Sequence, residues 1–317
     1  MKISELETKI GEYLKDAERD TQRLAAFLKD KLRFGDLRSE AVTAVKLQRP
    51  DAWCVKTAQE WRKLGVRLKQ GEFANAIKVL TTCRDTSFER DGRIVSVRDA
   101  TAEERKAMLS GELPVQEKLI TRMVLVYDIS QTDCPRDRYQ QITQSQGIQP
   151  SHGQLYELLK AQIDDKGVTV EEVDLHRTGA NAMYVQESKV ILVDQSLKDY
   201  QKLAALCDGY AECLVTETSN QLESVARFEA AFTALALKQE YGLPIAEGEV
   251  QKAAELYHKI DGHDVQTLDS SLTRCRRVQE HVTADVAVRH QELLKAQGLD
   301  LSLSQSQVAQ NFLQDLG

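Results

Sequence analysis

The chain has 317 residues, of which 42% are hydrophobic and 29% charged, a composition that is ordinary for a folded protein with a core. Its length suits two domains, and no apolar run approaches the ~18 residues that a membrane-spanning helix needs, which excludes a helical membrane protein. The charged start lacks the apolar segment of a secretory signal, and the six cysteines include no CxxC pair, so we expect a reduced, cytoplasmic protein without a cysteine zinc site or a membrane partner.

Helical spacing of apolar residues opens the chain. Leu6, Ile10 and Leu14 recur one helical turn apart. This pattern predicts N-terminal helices over residues 1–48, with a break between segments at Gly35.

Residues 49–132 have the pattern of a small mixed domain that contains a sheet. A short helix is predicted from Trp53 to Leu64, with Gly65 as its end. The segments VRL and AIKVL on either side of QGE predict a hairpin, and RIVSV and LITRMVLVYDIS predict two further strands. The sequence TAEE, which starts at Thr101, is a capping box and predicts the beginning of a short helix.

A Gln-rich stretch with two prolines and two glycines predicts a linker over 133–153, and a second domain is expected over 154–246. The segments VTVEEVDL, NAMYVQE and KVILVD predict three consecutive strands, followed by helices over 196–218 and 221–241. Residues 247–317 predict a helical C-terminal extension that packs over these two helices. The expected fold class is therefore α+β.

The stretch QKLAALCDGYAECLVTET, residues 201–218, has the apolar stripe of a buried helix, because Leu203, Leu206, Tyr210 and Leu214 recur every three or four positions. Three strands, a helix and a second helix bearing an acid is the order of elements in many zinc peptidases. In those enzymes the first helix carries H-E-x-x-H, in which two histidines bind Zn²⁺ and the glutamate activates the bound water. The stretch has the frame of such a helix but contains no histidine.

Four segments in the same order resemble the ArdC-type antirestriction proteins. WRKLGVRLKQGEFANAIKVL (61–80) resembles the family's W-x-x-x-G-x-x-V-x-x-G-E-x-x-x-x-I region, and VYDISQTD (126–133) resembles its F-D-V-S-Q-T segment. Tyr184 with KVILVD resembles the strands before the active helix, and QKLAAL resembles the run that leads into H-E-L-A-H. The resemblance covers about residues 49–243. It implies an N-terminal single-stranded-DNA-binding domain and a C-terminal zincin-like metallopeptidase domain of the ImmA/IrrE kind.

Carried over without gaps, the resemblance places the first histidine position at Asp208, the catalytic glutamate at Gly209 and the second histidine at Glu212. Glu229 matches the family's first acid on the next helix, and Ala231 replaces the second. Zn²⁺ in peptidases is bound by imidazoles and a carboxylate, and glycine has no group that accepts a proton from bound water. We therefore expect no zinc, no other cofactor and no catalysis. Gly209 also costs a helix ~1 kcal/mol relative to alanine, and the sequence does not show what offsets this cost.

The same carboxylates suggest a different metal site. Asp208 and Glu212 lie four residues apart on one helix face, and with Glu229 they would offer three carboxylates to Mg²⁺ or Ca²⁺ in a hydrolase. The alternative is a solvated acidic ridge, which is the usual role of isolated acidic pairs on helices.

Aromatic residues lie among cations in the front half of the chain. The aromatic residues are Trp53, Trp61 and Phe73, and the cations are Lys56, Arg62, Lys63, Arg67, Lys69, Lys78 and Arg84. Aromatic faces combined with cations that follow the backbone are what sequence-tolerant binding of single strands requires. The alternative is that both tryptophans are core residues and that the cations occupy solvated positions.

The charge is uneven along the chain. Residues 1–110 hold 23 Lys and Arg against 18 Asp and Glu, whereas residues 111–317 hold 19 against 31. A mildly basic front half suits a polyanionic partner, although an excess of five charges over 110 residues also fits an ordinary solvated surface.

These patterns predict a non-catalytic protein that binds single-stranded nucleic acid, of the antirestriction type carried by a phage, plasmid or other mobile element. Its peptidase-like domain is expected to be inactive and to offer its former active-site cleft to a protein partner. Two alternatives stay open: a protein–protein interaction scaffold without DNA binding, and a hydrolase that uses a carboxylate-bound cation.

Overall fold

The computed structural model of the protein describes residues 3–35, 37–139, 150–218 and 222–297. Its contacts divide the chain into two units. The first unit is formed by Met1–Ile10 and Leu37–Tyr139, and the second by Gly11–Asp36 and Gln140–Gly317. Both units combine helices with a small sheet, so the predicted α+β class is confirmed. Within the described ranges, no helix has the length and apolar character that crossing a bilayer demands.

The predicted N-terminal helices are α1 (Ile3–Arg19), α2 (Thr21–Arg33) and α3 (Ser39–Gln48). Asp20 caps α2, since its carboxylate accepts the backbone N–H of Arg23 at 2.8 Å. The spaced apolar residues of α1, which are Leu6, Ile10 and Leu14, are buried as their periodicity predicts.

The sheet of the first unit has four antiparallel strands in the order β1-β4-β2-β3. These strands are β1 (Val55–Lys56), β2 (Ile77–Arg90), β3 (Arg93–Ser96) and β4 (Val115–Asp128). The two long strands pair from Ile77 opposite Val126 to Phe88 opposite Val115. Helix α3 packs against β2.

The hairpin predicted around QGE is wrong. Gly71 has φ +86 and leads into a 3-10 turn over Glu72–Asn75, and the segment before it makes a single β-bridge, between Leu68 and Thr132. Strand β2 pairs with β3 and β4 instead. The physical reason is length, because β4 supplies a continuous ladder of backbone partners whereas the VRL segment has only three residues to offer.

Two short helices of the first unit begin at capping boxes. Thr57 and Glu60 cap α4 (Ala58–Lys63), and Thr101 and Glu104 cap α5 (Ala102–Leu109). The box predicted from TAEE is therefore confirmed. The helix predicted from Trp53 is shorter than expected, because the residues before Thr57 form β1.

The sheet of the second unit has three strands, as predicted. They are β5 (Thr169–Val173), β6 (Ala182–Val185) and β7 (Val190–Asp194). The central strand β7 runs parallel to β5 and antiparallel to β6. Its Ile191 and Val193 are fully buried in the core of the unit.

Helices cover this sheet and complete the second unit. They are α6 (His152–Asp165), α7 (Asp199–Thr218), α8 (Glu223–Glu240), α9 (Glu247–His258) and α10 (Val265–Ala296). Helix α7 packs on β6, β7, α6 and α8. The predicted C-terminal cover is found at α8, against which both α9 and α10 pack. Residues 140–149 of the predicted linker, and the chain after residue 297, lie outside the described residues.

Candidate functional site

Gly209 lies where helix α7 comes closest to the sheet of the second unit. A Cβ atom built at this position would be 2.6 Å from Cγ2 of Ile191 on β7 and 3.7 Å from Cβ of Ala182 on β6. A contact under 3 Å with a buried core side chain forces that side chain or the helix to shift, so glycine is the residue that fits here without a rearrangement. Glycine has an unfavourable helix propensity, but at position 209 it allows α7 to pack closely on β7. The same close packing leaves no space for a glutamate side chain at this position.

Asp208, at the predicted first ligand position, is bonded to a lysine. Nζ of Lys238 on α8 lies 2.7 Å from Oδ1 and 2.9 Å from Oδ2 of Asp208, and 2.6 Å from Oε1 of Glu249 on α9. The side chain of Lys238 is only 4% exposed. Three helices thus place one ammonium group between two carboxylates, which is the arrangement that a buried lysine needs.

The contacts of this lysine cluster favour the ionised forms of Lys238 and Glu249, whereas burial dominates at Asp208. Burial works against the Lys238 ammonium, but Asp208 and Glu249 outweigh it and raise the pKa of Lys238 above its usual value. Burial also works against the Glu249 carboxylate, but hydrogen bonds from Lys238 and from the Ala246 amide outweigh it and lower its pKa. Desolvation raises the pKa of Asp208 against the pull of the same lysine. Lys238 therefore remains protonated at neutral pH.

Glu229 is held by an arginine. Its nearly buried carboxylate accepts Nε–H of Arg274 on α10 at 2.8 Å, and a second bond from Nη2 of the same guanidinium. Glu212, the other predicted position, is exposed on α7. The structure therefore does not gather Asp208, Glu212 and Glu229 into one ligand set.

The residues at these positions do not fit the metal that the peptidase resemblance implies. Two of the carboxylates are bonded to protein cations, and the position of the general base has no side chain. In the described part of the chain, no group of three His, Cys, Asp or Glu side chains is placed to hold a metal ion. Zinc and similar ions in peptidases need a convergent set of nitrogen and carboxylate ligands.

Trp61 is a core residue of the first unit, which corrects its prediction as a stacking surface. Its ring is fully buried and donates Nε1–H to the backbone oxygen of Tyr127 at 2.9 Å. The amphipathic spacing of α4 explains the outcome, because Trp61 faces inward while Arg62 and Lys63 are exposed.

Trp53 and the predicted cations lie nearer the surface than Trp61 does. The partly exposed ring of Trp53 stacks on Tyr139 with centroids 5.6 Å apart. Arg67 and Lys69 are exposed on the segment before the 3-10 turn, and Nζ of Lys69 donates to the backbone oxygen of Ser130 at 2.9 Å. Lys56 and Lys78 are partly exposed on β1 and β2. Arg84 lies on β2, and its side chain is outside the described residues.

Strand register places two of these lysines on one face of the sheet. Residues directly opposite each other in an antiparallel pair share a face. The opposing pairs are Lys56 with Tyr127, Lys78 with Leu125, and Leu80 with Met123. We call this side of the sheet, formed by these six residues, the Lys78 face.

The Lys78 face leaves apolar side chains in water. On this face Leu125 is 43% exposed and Met123 is 41% exposed, whereas Leu80 and Tyr127 are buried, as are Ile77 and Val79 on the opposite face. Sequence reasoning did not select Met123 and Leu125 as site residues. The available signal was the unbroken apolar run MVLV, which marks a strand with apolar residues on both faces.

Phe73 adds an exposed aromatic ring beside the Lys78 face. It is 62% exposed on the 3-10 turn, and its ring meets the edge of Tyr127 with centroids 6.0 Å apart and planes at 70°. A large aromatic ring that remains in water beside lysines and exposed apolar side chains is a surface of the kind that binds a ligand.

No protein-family model and no curated protein matches the chain. Among solved structures, the chain is similar to the antirestriction protein ArdC from the R388 plasmid. The metal-free structure of that protein gives a TM-score of 0.49 at 11% identity, over 86% of this chain and 97% of that chain. Its Mn(II)-bound structure gives 0.45 at 12% identity, over 86% and 98%. Both of these structures are of a protein of the ArdC type, the family that the sequence motifs of this chain resemble.

Proposed function

We propose that the first unit binds single-stranded nucleic acid through the Lys78 face and the adjoining Phe73. The observation that carries this proposal is the exposure of Phe73 beside exposed apolar side chains and lysines on one face of a sheet. Each base has a flat apolar surface that stacks on an aromatic ring, and the lysines follow the phosphates, so binding of this kind tolerates any base sequence.

The charges near this surface support the same ligand. Six cations lie between residues 55 and 80, against two acids, Glu60 and Glu72. Both acids are engaged within the protein, since Glu60 accepts hydrogen bonds from Thr57 and Glu72 accepts one from Gln131. The stretch keeps an excess of four positive charges over these two acids, and Arg62, Lys63 and Arg67 are exposed to meet a phosphate backbone.

The second unit is, in this proposal, a zincin-like body without catalysis. The closeness of α7 to β7 at Gly209 and the pairing of Asp208 with Lys238 support it. A hydrolase that holds a cation on carboxylates would first have to release Asp208 from Lys238 and Glu229 from Arg274. The antirestriction setting on a mobile element is part of the proposal and follows from the motifs that resemble the ArdC-type family.

Fluorescence anisotropy of a labelled single-stranded oligonucleotide, titrated with the full chain at two salt concentrations, tests the proposal. We expect salt-sensitive binding that Phe73→Ala weakens about tenfold, which is the cost of losing one base–aromatic stack. Ile94→Ala is the matched control, because Ile94 is an apolar side chain on β3 that is 76% exposed but lies off the Lys78 face. Absence of binding by the unchanged protein at low salt would overturn the proposal and leave the interaction scaffold.

A further inference from the structure

We infer that residues 128–133, which we call the anchor segment, hold Phe73 in place for stacking on a base, with Gln131 as the positioning residue. This inference rests on the proposed function. The anchor segment has the sequence DISQTD, and none of its residues belongs to the Lys78 face itself.

Backbone contacts first tie the anchor segment to the chain that precedes Phe73. Leu68 forms a β-bridge with Thr132, and the N–H of Lys69 donates to the backbone oxygen of Gln131 at 2.9 Å. Asp133 closes the contact from both sides: its N–H donates to the oxygen of Arg67 at 2.9 Å, and its Oδ1 accepts the N–H of Arg67 at 2.8 Å. Two residues with exposed cations are thereby fixed at the backbone.

The side chain of Gln131 then clamps the 3-10 turn that carries Phe73. Nε2 donates to Oε2 of Glu72 at 2.7 Å and to the backbone oxygen of Asn75 at 3.0 Å, and these are the first and last residues of the turn. Oε1 accepts the N–H of Asp128 at 2.9 Å. Gln131 is completely buried, so its amide group is shielded from water, while the Glu72 carboxylate is partly exposed.

The charge of Glu72 strengthens this clamp. The hydrogen bond from Gln131 is the main cause that lowers the pKa of Glu72, so the turn is held by an ionised acceptor. Hydrogen bonds to charged groups are stronger than those between neutral groups.

The anchor segment holds the second aromatic residue as well. Oδ1 of Asp128 accepts the backbone N–H groups of Trp53 at 2.7 Å and of Cys54 at 3.1 Å. One six-residue segment, buried at four of its positions, thus fixes the backbone at both Trp53 and the turn of Phe73. Aromatic rings fixed before binding lose less conformational freedom when a base stacks on them, and this favours affinity.

The sharpest test compares Glu72→Met with Glu72→Gln in the full chain. Both variants remove the same charge, but only glutamine keeps an oxygen that accepts from Nε2 of Gln131. We expect Glu72→Met to bind the oligonucleotide about fivefold more weakly than Glu72→Gln, at the same salt dependence, because a positioning bond is lost and no phosphate contact is. When Phe73→Ala is added to each, the fivefold difference should vanish, since the clamp acts through the ring.

Gln131→Met supplies the same break from the buried side, with Gln116→Met on the exposed part of β4 as its control. Hydrogen exchange at the Arg67 and Lys69 amides measures the anchoring without any ligand. We expect faster exchange in Glu72→Met than in Glu72→Gln. Equal affinities and equal exchange in the two Glu72 variants would overturn the inference while leaving the proposed function intact. No oligonucleotide binding by the unchanged protein would overturn the proposed function and the stacking role together, and exchange would still decide whether Gln131 anchors the turn.

Discussion

The Lys78 face of the first unit and helix α7 of the second treat their functional groups in opposite ways. On the Lys78 face, large apolar side chains and the neighbouring Phe73 remain in contact with water. On α7, Gly209 and Asp208 are both engaged within the protein, Gly209 by packing on the sheet and Asp208 by an ion pair with Lys238, while Glu212 stays exposed. A residue that matches a motif is therefore not always free to bind a ligand, because its charge or its packing surface is already used by contacts within the fold.

The largest effect is expected where α7 meets β7. Gly209→Ala forces its Cβ against Ile191, and overpacking of this kind should lower the free energy of unfolding by roughly 3 kcal/mol. Urea unfolding of the two proteins measures the change. Adding Ile191→Ala should recover part of the loss attributed to the clash.

Gly248→Ala is the matched control for this comparison. Gly248 lies in helix α9 with nothing within 4 Å of a built Cβ, so alanine there should stabilise by about 0.5–1 kcal/mol through helix propensity. Equal effects at both glycines would show that helix propensity, and not closeness to the sheet, governs Gly209.

The second effect concerns the lysine cluster. Lys238→Met leaves Asp208 and Glu249 facing each other without a cation and should destabilise the protein by about 2 kcal/mol. This is below the roughly 3–5 kcal/mol expected when a fully buried pair is broken, because both carboxylates are partly exposed. Lys166→Met, at an exposed position after α6 and away from the cluster carboxylates, should change the unfolding free energy by less than about 0.5 kcal/mol.

The third prediction concerns how stability depends on pH through the surface ion pair of the first unit, in contrast to the buried lysine cluster of the second. Hydrogen bonds from Arg90, together with the Thr101 amide, lower the pKa of Glu104 from 4.5 to about 2. Because the folded pKa is the lower one, this stabilisation is present above pH 4.5 and is lost as the pH falls towards 2. Glu104→Gln should therefore flatten the fall in urea midpoint across this window. Glu103→Gln, at an exposed neighbouring position, controls for the loss of a carboxylate near the start of α5.

The smallest effect tests single cations of the proposed surface. Lys63→Met should lower the slope of log affinity against log salt by about one unit or less, with a modest loss of affinity, because one phosphate contact is removed. Lys166→Met, an exposed lysine after α6, should leave both quantities unchanged. A change at Lys166 as large as that at Lys63 would mean that the oligonucleotide responds to overall charge and not to this face.

Local patterns predicted most of the fold. The three strands before α7, the capping box at Thr101 and the helical spacing of α1 depend on residues near one another in the chain, and each was found. The hairpin around QGE failed because β2 takes its partner from about 40 residues further along the chain. Pairing between distant segments is decided by the length of ladder that each offers, which no short window contains.

The candidate sites were predicted only in part, again because the deciding contacts join residues that are distant in the sequence. Residue types marked Asp208 and Glu229 as carboxylates on facing helices, but the partners Lys238 and Arg274 lie 30 and 45 residues away and carry no local signal. Trp61 was selected by type and proved to be core, because the inward side of α4 is set by the sheet beneath it. Met123 and Leu125 were overlooked because a strand with two apolar faces has the same sequence whether one face is covered or not.

The distance of 2.6 Å between a Cβ built at position 209 and Cγ2 of Ile191 also bears on whether peptidase chemistry could be introduced into this chain. Installing Asp208→His, Gly209→Glu and Glu212→His would rewrite the motif without making room for it, because the backbone of α7 lies too near β7 to admit a side chain. A working motif would need both a smaller residue at position 191 and a shift of helix α7 in the same step, because each change alone lowers the stability of the protein. Because of this close packing, drift or directed evolution from this chain towards a working peptidase would begin with a loss of stability.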